Sequence, residues 1–108
     1  MNTKKKQAKL KTIVDESIKL PEKQGNGVLK LVVKTDEKGE INRYSLAYIN
    51  SRICHVDNGR VLGYDNSHGY HHHHYMGQEE RVTFKNYEAI ADKFDKEWRI
   101  LHEKAKKS

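Results

Sequence analysis

Cysteine is nearly absent from this sequence: Cys54 is the only one among 108 residues. A single cysteine excludes an intramolecular disulfide, which is typical of a protein that works in a reducing compartment. Long apolar runs are absent too, so no segment offers the roughly 20 apolar residues that a membrane-spanning helix needs. The first eleven residues, MNTKKKQAKLK, lack the apolar centre of a secretion signal. We therefore expect a soluble, cytoplasmic protein with no membrane partner.

Apolar residues are also in short supply, at 35% of the chain against 33% charged residues. They are grouped into short periodic runs, which indicates a folded domain with a modest core rather than a disordered chain. A chain of 108 residues has room for one such core, so we expect residues 1–108 to form a single domain. A core this small leaves apolar surface to be covered, and we expect a homodimer or a hetero-oligomer with a partner protein.

Acidic residues are fewer than basic ones, 15 against 21, which gives a net charge of +6 with neutral histidines. The excess is concentrated towards the two ends of the chain, in Lys4, Lys5, Lys6, Lys9, Lys11, Lys104, Lys106 and Lys107. Such a field attracts polyanions, RNA and DNA first, or an acidic protein. The alternative is that these lysines are solvated chain ends that keep the protein soluble. We expect residues 1–7 to form a disordered basic tail.

Two segments have helical periodicity. Near the start, four apolar residues on one stripe predict a helix over Gln7–Leu20, although the β-branched trio Thr12–Val14 would also suit a strand. Near the end, an asparagine suited to helix capping and apolar residues at helical spacing predict a long helix over Asn86–Ala105. We expect this second helix to pack through Phe94 and Trp98.

Between the two helices the sequence alternates with a period of two, which is typical of antiparallel strands. The predicted strands are Val28–Lys34, Ile41–Ile49 with Ile53–Val56 continuing or restarting it, Arg60–Asp65, Tyr70–Met76 and Arg81–Phe84, the last two being a pair joined around Gly77. The clearest turn signal is the run Asp57–Gly59, because Asn and Gly tolerate positive φ angles. The predicted fold is therefore α+β: an N-terminal helix, an antiparallel sheet of four or five strands, and a long C-terminal helix packed on the sheet.

Histidines are concentrated in one short stretch, with five of the seven between His68 and His74. Side chains alternate along a strand, so His71 and His73 would face one way while His72 and His74 face the other. Four adjacent histidines therefore cannot share one site on a regular strand. The pair His72 and His74 can.

Three interpretations of this pair remain open. If the pair is catalytic, one neutral imidazole takes the proton of a ribose 2′-hydroxyl and a protonated one donates to the leaving 5′-oxygen, while Arg60 neutralises charge on the phosphorane. If the pair binds metal, His72 and His74 would hold zinc or another divalent ion together with Asp65 or His68. In the third interpretation the histidines are an exposed polar strand or a pH-sensitive contact surface.

Other residues near the histidines are candidates for binding a substrate. Asp65 and Asn66 would orient a histidine ring, or would shape the turn after a strand. Arg43 would bind phosphate, or is an ordinary charge on a strand surface. Tyr48 and Tyr64 would offer bases a stacking surface, unless they pack in the core.

The run NGRVLGYDNSHGYHHHHYMG, preceded by RYSLAYIN and followed by an aromatic-rich acidic helix, resembles the TumE-like toxins of bacterial and archaeal toxin–antitoxin pairs. The resemblance covers about half the chain, from Arg43 to Trp98. Its most specific residues are Gly59, Arg60, Tyr64, Asp65, Asn66, His71, His72 and His74. It implies a growth-inhibiting toxin paired with a DNA-binding antitoxin that is encoded beside it.

We therefore predict a toxin that acts as a metal-independent ribonuclease without a cofactor; the nuclease activity is inferred by likeness to other small basic toxins. The roles that we assign are acid–base catalysis to His72 and His74, substrate positioning to His71 and His68, histidine orientation to Asp65, and phosphate binding to Arg60. Its expected partners are an RNA substrate and a cognate DNA-binding antitoxin. The rivals are a non-catalytic nucleic-acid-binding or docking protein that co-regulates transcription, and a nuclease that uses zinc or another divalent ion on the same histidines.

Overall fold

The computed structural model describes residues 9–107, in which six strands are followed by one long helix. Their bounds are β1 Lys11–Lys19, β2 Val28–Thr35, β3 Ile41–Ile49, β4 Arg60–Asp65, β5 His72–Tyr75, β6 Gln78–Arg81 and α1 Tyr87–Lys107. The predicted α+β class is confirmed, although the sheet has six strands rather than four or five. The tail expected at residues 1–7 lies outside the described residues. No helix among residues 9–107 is both long and apolar enough to cross a bilayer.

Each strand pairs antiparallel with the next one along the chain, so the sheet order is β1-β2-β3-β4-β5-β6. Only Met76 and Gly77 connect β5 to β6, and their φ angles of 52° and 85° suit a two-residue turn that matches the sheet twist. A Cβ atom at Gly77 would also collide with the side chain of Val56. This tight turn places the last hairpin earlier in the chain than predicted, since β6 ends at Arg81.

The helix predicted over Gln7–Leu20 is wrong, because β1 is an edge strand that pairs with β2. The pairing shifts register at Ile13, which is therefore the extra residue of a bulge, while Val14 and Ile18, four residues apart, face the same side of the sheet by ordinary alternation. The same four-residue spacing also fits one helical stripe, so the sequence pattern is ambiguous. Pairing with β2 decides in favour of the strand, to which the β-branched residues of this segment are suited.

The strand predicted over Ile53–Val56 is also wrong, because Asn50 organises this segment into a turn. The backbone carbonyl of Asn50 accepts the N–H groups of Ile53 and Cys54 at 3.0 and 3.1 Å. Its side-chain Oδ1 accepts the Arg52 N–H at 3.1 Å. Backbone groups engaged in these local bonds cannot join a strand ladder.

The long C-terminal helix α1 is confirmed and begins at its predicted cap. The Ala89 N–H donates to Oδ1 of Asn86 at 2.8 Å, which satisfies one of the free N–H groups of the first turn. Ile90 and Phe94 are buried in the core, and Trp98 packs partly buried against it.

A buried polar network fixes the C-terminal half of α1 to the sheet. The amide of Asn50 donates to the Tyr48 hydroxyl at 3.0 Å, so this hydroxyl directs its own proton to Nδ1 of His102, 2.9 Å away. Burial, followed by the nearby charge of Lys106, lowers the pKa of His102 despite opposing effects of the Gln24 backbone and Glu103. The neutral ring is therefore the form that suits this network.

The two sides of the sheet differ in what covers them. The side that bears Tyr48 packs against α1. On the other side, which we call the helix-free face, register and alternation place Lys30, Ala47, Gly63 and His74 in one row across β2 to β5. The candidate site lies on this helix-free face.

Candidate active site

Strand alternation divides the histidines of β5 and the residue before it between the two sides of the sheet. The rings of His72 and His74 lie together on the helix-free face, with centroids 5.6 Å apart and planes inclined by 12°. His73 instead packs against Tyr64 on the helix side, with centroids 4.9 Å apart. His72 and His74 therefore share one face of the sheet, and His73 lies on the other, as strand alternation predicts.

His74 is held between a carboxylate and a guanidinium. Its Nε2 lies 2.8 Å from Oδ2 of Asp65, and its Nδ1 lies 3.2 Å from Nη2 of Arg60. An arginine nitrogen can only donate, so Nδ1 is the acceptor and Nε2–H donates to the carboxylate. This arrangement fixes a neutral ring whose Nδ1 lone pair is directed at Arg60.

His72 has acceptors at both of its ring nitrogens. The carbonyl oxygen of Ser67 lies 2.8 Å from Nε2, and a carbonyl can only accept, so Nε2 carries a proton. Nδ1 is in close contact with Oε2 of Glu79. Two lone pairs cannot face each other at contact distance, so a further proton lies between Nδ1 and the Glu79 carboxyl group.

Asp65 is the anchor of the cluster, and its charge is compensated by several donors. Its Oδ1 accepts both the N–H and the hydroxyl of Ser67, at 3.1 and 2.7 Å. Burial on its own would raise the pKa of Asp65, but the bonds from Ser67 and then from His74 outweigh it and lower that pKa. Asp65 is thus a carboxylate at neutral pH, and its charge would stabilise an imidazolium if His74 took up a proton.

Arg60 lies along the helix-free face and reaches into the cluster. Its Nε bonds to Oδ2 of Asp57 at 2.7 Å, and its Nη1 lies 3.9 Å from Oδ2 of Asp65. Gly63 provides the space, since a Cβ atom there would lie 2.9 Å from Cδ of Arg60. Arg60 therefore lies beside the histidine pair.

The histidine pair is shielded from solvent by neighbouring side chains. His72 is 3% exposed and His74 8%. The Tyr70 ring stacks on His72 with centroids 4.0 Å apart, and the guanidinium carbon of Arg81 lies 4.2 Å from the centre of the Tyr70 ring. A substrate would reach the cluster past Arg60 or by displacing Tyr70.

His71 lies apart from the cluster, although the sequence analysis assigned it to the site. The Tyr44 hydroxyl is hydrogen-bonded to Nδ1 of His71 at 2.7 Å, and the His71 ring stacks on Phe84 with centroids 3.9 Å apart. Burial, then the charge of His72, lowers the pKa of His71, while burial and the charge of Asp65 raise the pKa of Tyr44 to about 12. This pair is a neutral hydrogen bond within the helix-side packing.

Four further candidates are dispersed over the molecule. Tyr48 and Tyr64 are 0% and 2% exposed under α1, where the Tyr64 hydroxyl donates to Glu97, so neither offers a surface to a base. The side chain of Asn66 is committed to backbone, accepting the Tyr44 N–H at 3.0 Å and donating to the Asn42 carbonyl at 2.9 Å. Arg43 is exposed on the helix-free face.

The predicted metal-ligand set is brought together in part. Potential ligand atoms of Asp65, His72 and His74 all lie within 4.8 Å of one another. His68 is not in this group; it is exposed, and its ring centroid lies 6.0 Å from that of His72. Two histidines and one carboxylate are a donor set that suits zinc with an open position. The guanidinium of Arg60 lies against two of the three donors and would repel a dication.

Glu79 contacts His72 directly and was not among the candidates from the sequence; nor were Ser67 and Tyr70, which also touch the cluster. Glu79 pairs with His74 across β5 and β6, and its carboxyl group reaches His72 diagonally. A signal for it exists in the sequence: with a two-residue turn at Met76-Gly77, alternation places Glu79 on the same face as His72 and His74.

A scan against protein-family models matches residues 6–103 to the family described as Toxin TumE. The match spans the whole sheet, the histidine cluster and most of α1, well beyond the half of the chain that carries the resemblance noted in the sequence. No match was found among curated proteins or among solved structures.

Proposed function

The chain belongs to the TumE toxin family, and we propose that it arrests growth as a ribonuclease that uses His74 as general base and His72 as general acid. Membership in a toxin family implies an antitoxin partner. Beyond family membership, we propose that the substrate is RNA and that the histidines are catalytic.

The observation that carries the proposal is that two stacked imidazoles have opposite hydrogen-bonding surroundings. His74 presents an Nδ1 lone pair and directs its N–H to Asp65. His72 has acceptors on both sides and holds a proton towards Glu79. General acid–base cleavage needs one neutral and one protonated partner, and the two environments favour that division of roles.

In the proposed reaction, phosphate binding uncovers the base. Arg60 exchanges its bond to Nδ1 of His74 for one to the scissile phosphate, which its planar fork suits. The freed Nδ1 takes the proton of the ribose 2′-hydroxyl as the 2′-oxygen attacks phosphorus. Asp65 stabilises the resulting imidazolium through the Nε2–H bond.

The acid step completes the balance of bonds and protons. The new bond joins the 2′-oxygen to phosphorus, and the bond from phosphorus to the 5′-oxygen breaks. The leaving 5′-oxygen takes the proton held between His72 and Glu79. Because the Glu79 side chain is 47% exposed while that of His72 is 3% exposed, Glu79 is the end of this pair that solvent can reprotonate. The products are a 2′,3′-cyclic phosphate and a 5′-hydroxyl.

Glutamine substitutions test this assignment while keeping a polar side chain in a buried site. Expressed without antitoxin, His72→Gln and His74→Gln should each permit growth, because general acid–base terms are typically worth about 10²- to 10⁴-fold. His73→Gln is the matched control, since the same residue type one position away faces the helix side. Thermal melts establish that each variant is folded. Arrest by a folded His72→Gln or His74→Gln protein, as strong as that of the parent, would refute the assignment.

A second candidate is a metal-dependent nuclease at the same residues, favoured by the proximity of Asp65, His72 and His74. In that case the ion would activate a water molecule, and the histidines would be ligands rather than proton carriers. Purified protein should then hold about one equivalent of zinc or another divalent ion, and Asp65→Ala should remove it. Full activity after exhaustive chelation, with no metal retained, would exclude this candidate.

A further inference from the structure

The helix-free face carries cations that the proposed reaction does not use. Lys30 and Lys34 of β2 and Arg43 of β3 lie on this face by register, next to the half of the sheet that holds the histidine pair. Lys30 and Arg43 are exposed and Lys34 is half-buried. None of the three has an ion pair with a carboxylate among residues 9–107.

The carboxylates of this face do not neutralise these cations. Asp65 and Glu79 are engaged with His74 and His72. On strands β1 to β3, the only further carboxylate that the register places on this face is that of Asp15, which lies opposite Val32. Positive charge therefore remains in excess on this half of the face.

Small residues form the floor between the cations and the histidines. One row across the sheet reads Lys30, Ala47, Gly63, His74, and the next reads Val32, Ser45, Asp65, His72. Lys30 and His74 are three strand spacings apart, about 14 Å. Serine, alanine and glycine leave room for an extended chain to lie on this floor, and the Arg60 side chain crosses it beside Gly63.

We propose that Lys30, Lys34 and Arg43 form a phosphate-binding track for the RNA strand that runs away from the scissile bond, a proposal that rests on the proposed function. Of these residues, only Arg43 was a candidate from the sequence. The three cations and the Arg60 guanidinium lie on one face of the sheet. The track therefore leads towards the position where Arg60 would hold the scissile phosphate.

The chemistry of the track favours RNA over a protein partner. Protein interfaces are typically anchored by aromatic or large apolar side chains at their centre. Here the centre of the face holds Ser45, Ala47 and Gly63 beside the half-buried Val32, and its margin holds cations that have no ion pair within residues 9–107. A polyanion gains most of its affinity from such charges without any apolar anchor.

Salt dependence gives the track a measurable signature. For single strands, each phosphate contact contributes a slope of about 0.7 to the fall of log affinity with log salt. Three contacts contribute about 2. Between 50 and 200 mM salt, the affinity of the parent protein should therefore fall about 20-fold more than that of a variant without the track.

The experiment compares two triple variants that remove equal charge. The track variant is Lys30→Gln, Lys34→Gln, Arg43→Gln. The control is Lys93→Gln, Lys96→Gln, Lys107→Gln, which removes three exposed lysines of α1. Binding of a 2′-O-methyl RNA, which cannot be cleaved at its 2′-oxygen, is followed by fluorescence anisotropy across this salt range. We expect the track variant alone to lose the slope of about 2.

The outcomes separate this proposal from the proposed function. Equal slopes for the track and control variants would overturn the track, even if the parent cleaves RNA. Binding that depends on the track in a protein that cleaves no RNA would support the track and contradict the catalytic proposal. A track variant that keeps its RNA affinity but escapes neutralisation by antitoxin would show that this face docks a protein, and would overturn the track.

Discussion

Replacing Asp65 with asparagine should uncouple the orientation of His74 from the rest of the site. The carboxylate accepts two bonds from Ser67 at Oδ1 and one from Nε2–H of His74 at Oδ2. An asparagine keeps Oδ1 for Ser67, but its Nδ2 then faces the Nε2–H, donor against donor. His74 relieves this clash by taking the other tautomer, which places a proton on Nδ1, turned away from the introduced asparagine, and removes the proposed base.

The magnitude follows from the bond that is lost. A hydrogen bond to a charged group is worth about 1.5–3 kcal/mol, so we expect the free energy of unfolding of Asp65→Asn to fall by about 2 kcal/mol. Because the folded-state pKa of Asp65 is lowered, this difference should be present at neutral pH and disappear only as the pH falls below about 4 and through that pKa. The cleavage rate should fall about 10⁴-fold, as expected when a catalytic histidine is held in the wrong tautomer.

Urea unfolding and cleavage of a labelled RNA measure the two effects. Ser67→Ala is the matched control, because it removes a donor from the other oxygen of the same carboxylate and leaves the His74 bond in place. We expect it to cost about 1 kcal/mol and to change the rate only a few-fold. The orienting role would be refuted by an Asp65→Asn protein whose cleavage rate is within tenfold of that of the parent. It would also be refuted if Asp65→Asn lowered the cleavage rate no more than Ser67→Ala does.

Three further predictions concern the surroundings of the site. Gly63→Ala should displace the flexible Arg60 side chain, whose Cδ would lie 2.9 Å from the new Cβ, and should press on the Leu46 carbonyl oxygen, 3.3 Å away, so cleavage should weaken with a small fall in the melting temperature; an unaltered rate would contradict the role of Arg60. His102→Gln should remove a pH dependence: since the folded-state pKa of His102 is lowered, the parent should lose stability relative to the variant as pH falls from about 6.5 through that pKa, and parallel melting curves over pH would contradict this. Trp98→Ala should cost about 3 kcal/mol in urea unfolding, and a change below about 1 kcal/mol would mean that α1 is not held through this ring.

Patterns that depend on one segment were predictable from the sequence. The bounds of β3 and β4, the Asn86 cap and the alternation of the histidines follow from local spacing and match the structure. Local spacing alone could not decide β1, because its apolar residues fit a helical stripe and, with a bulge, a strand. Its partner β2 settles that choice, and pairing is not visible in a single segment.

Residues that depend on register were harder to predict. Glu79 was missed because the last hairpin was placed too late, and a slip of register changes which side chains meet. A connection around Gly77 was expected, but Met76-Gly77 lacks the usual Asn-Gly signature of a two-residue turn, so the sequence did not indicate how short this connection is. Tyr48 and Tyr64 were predicted to stack on bases because strand alternation does not show which side of the sheet a helix covers. Only the position of α1 reveals which side of the sheet is covered.

The requirement for a 2′-hydroxyl tests the central claim most directly. Purified protein is incubated with an RNA and with DNA of the same sequence, with chelator present, and the product ends are identified by mass spectrometry. Because the proposed attack comes from the 2′-oxygen, and this hydroxyl is what distinguishes RNA from DNA, we predict that RNA alone is cleaved, to a 2′,3′-cyclic phosphate and a 5′-hydroxyl. Cleavage of the DNA, or RNA products that end in a 5′-phosphate, would contradict catalysis by His72 and His74 as an acid–base pair.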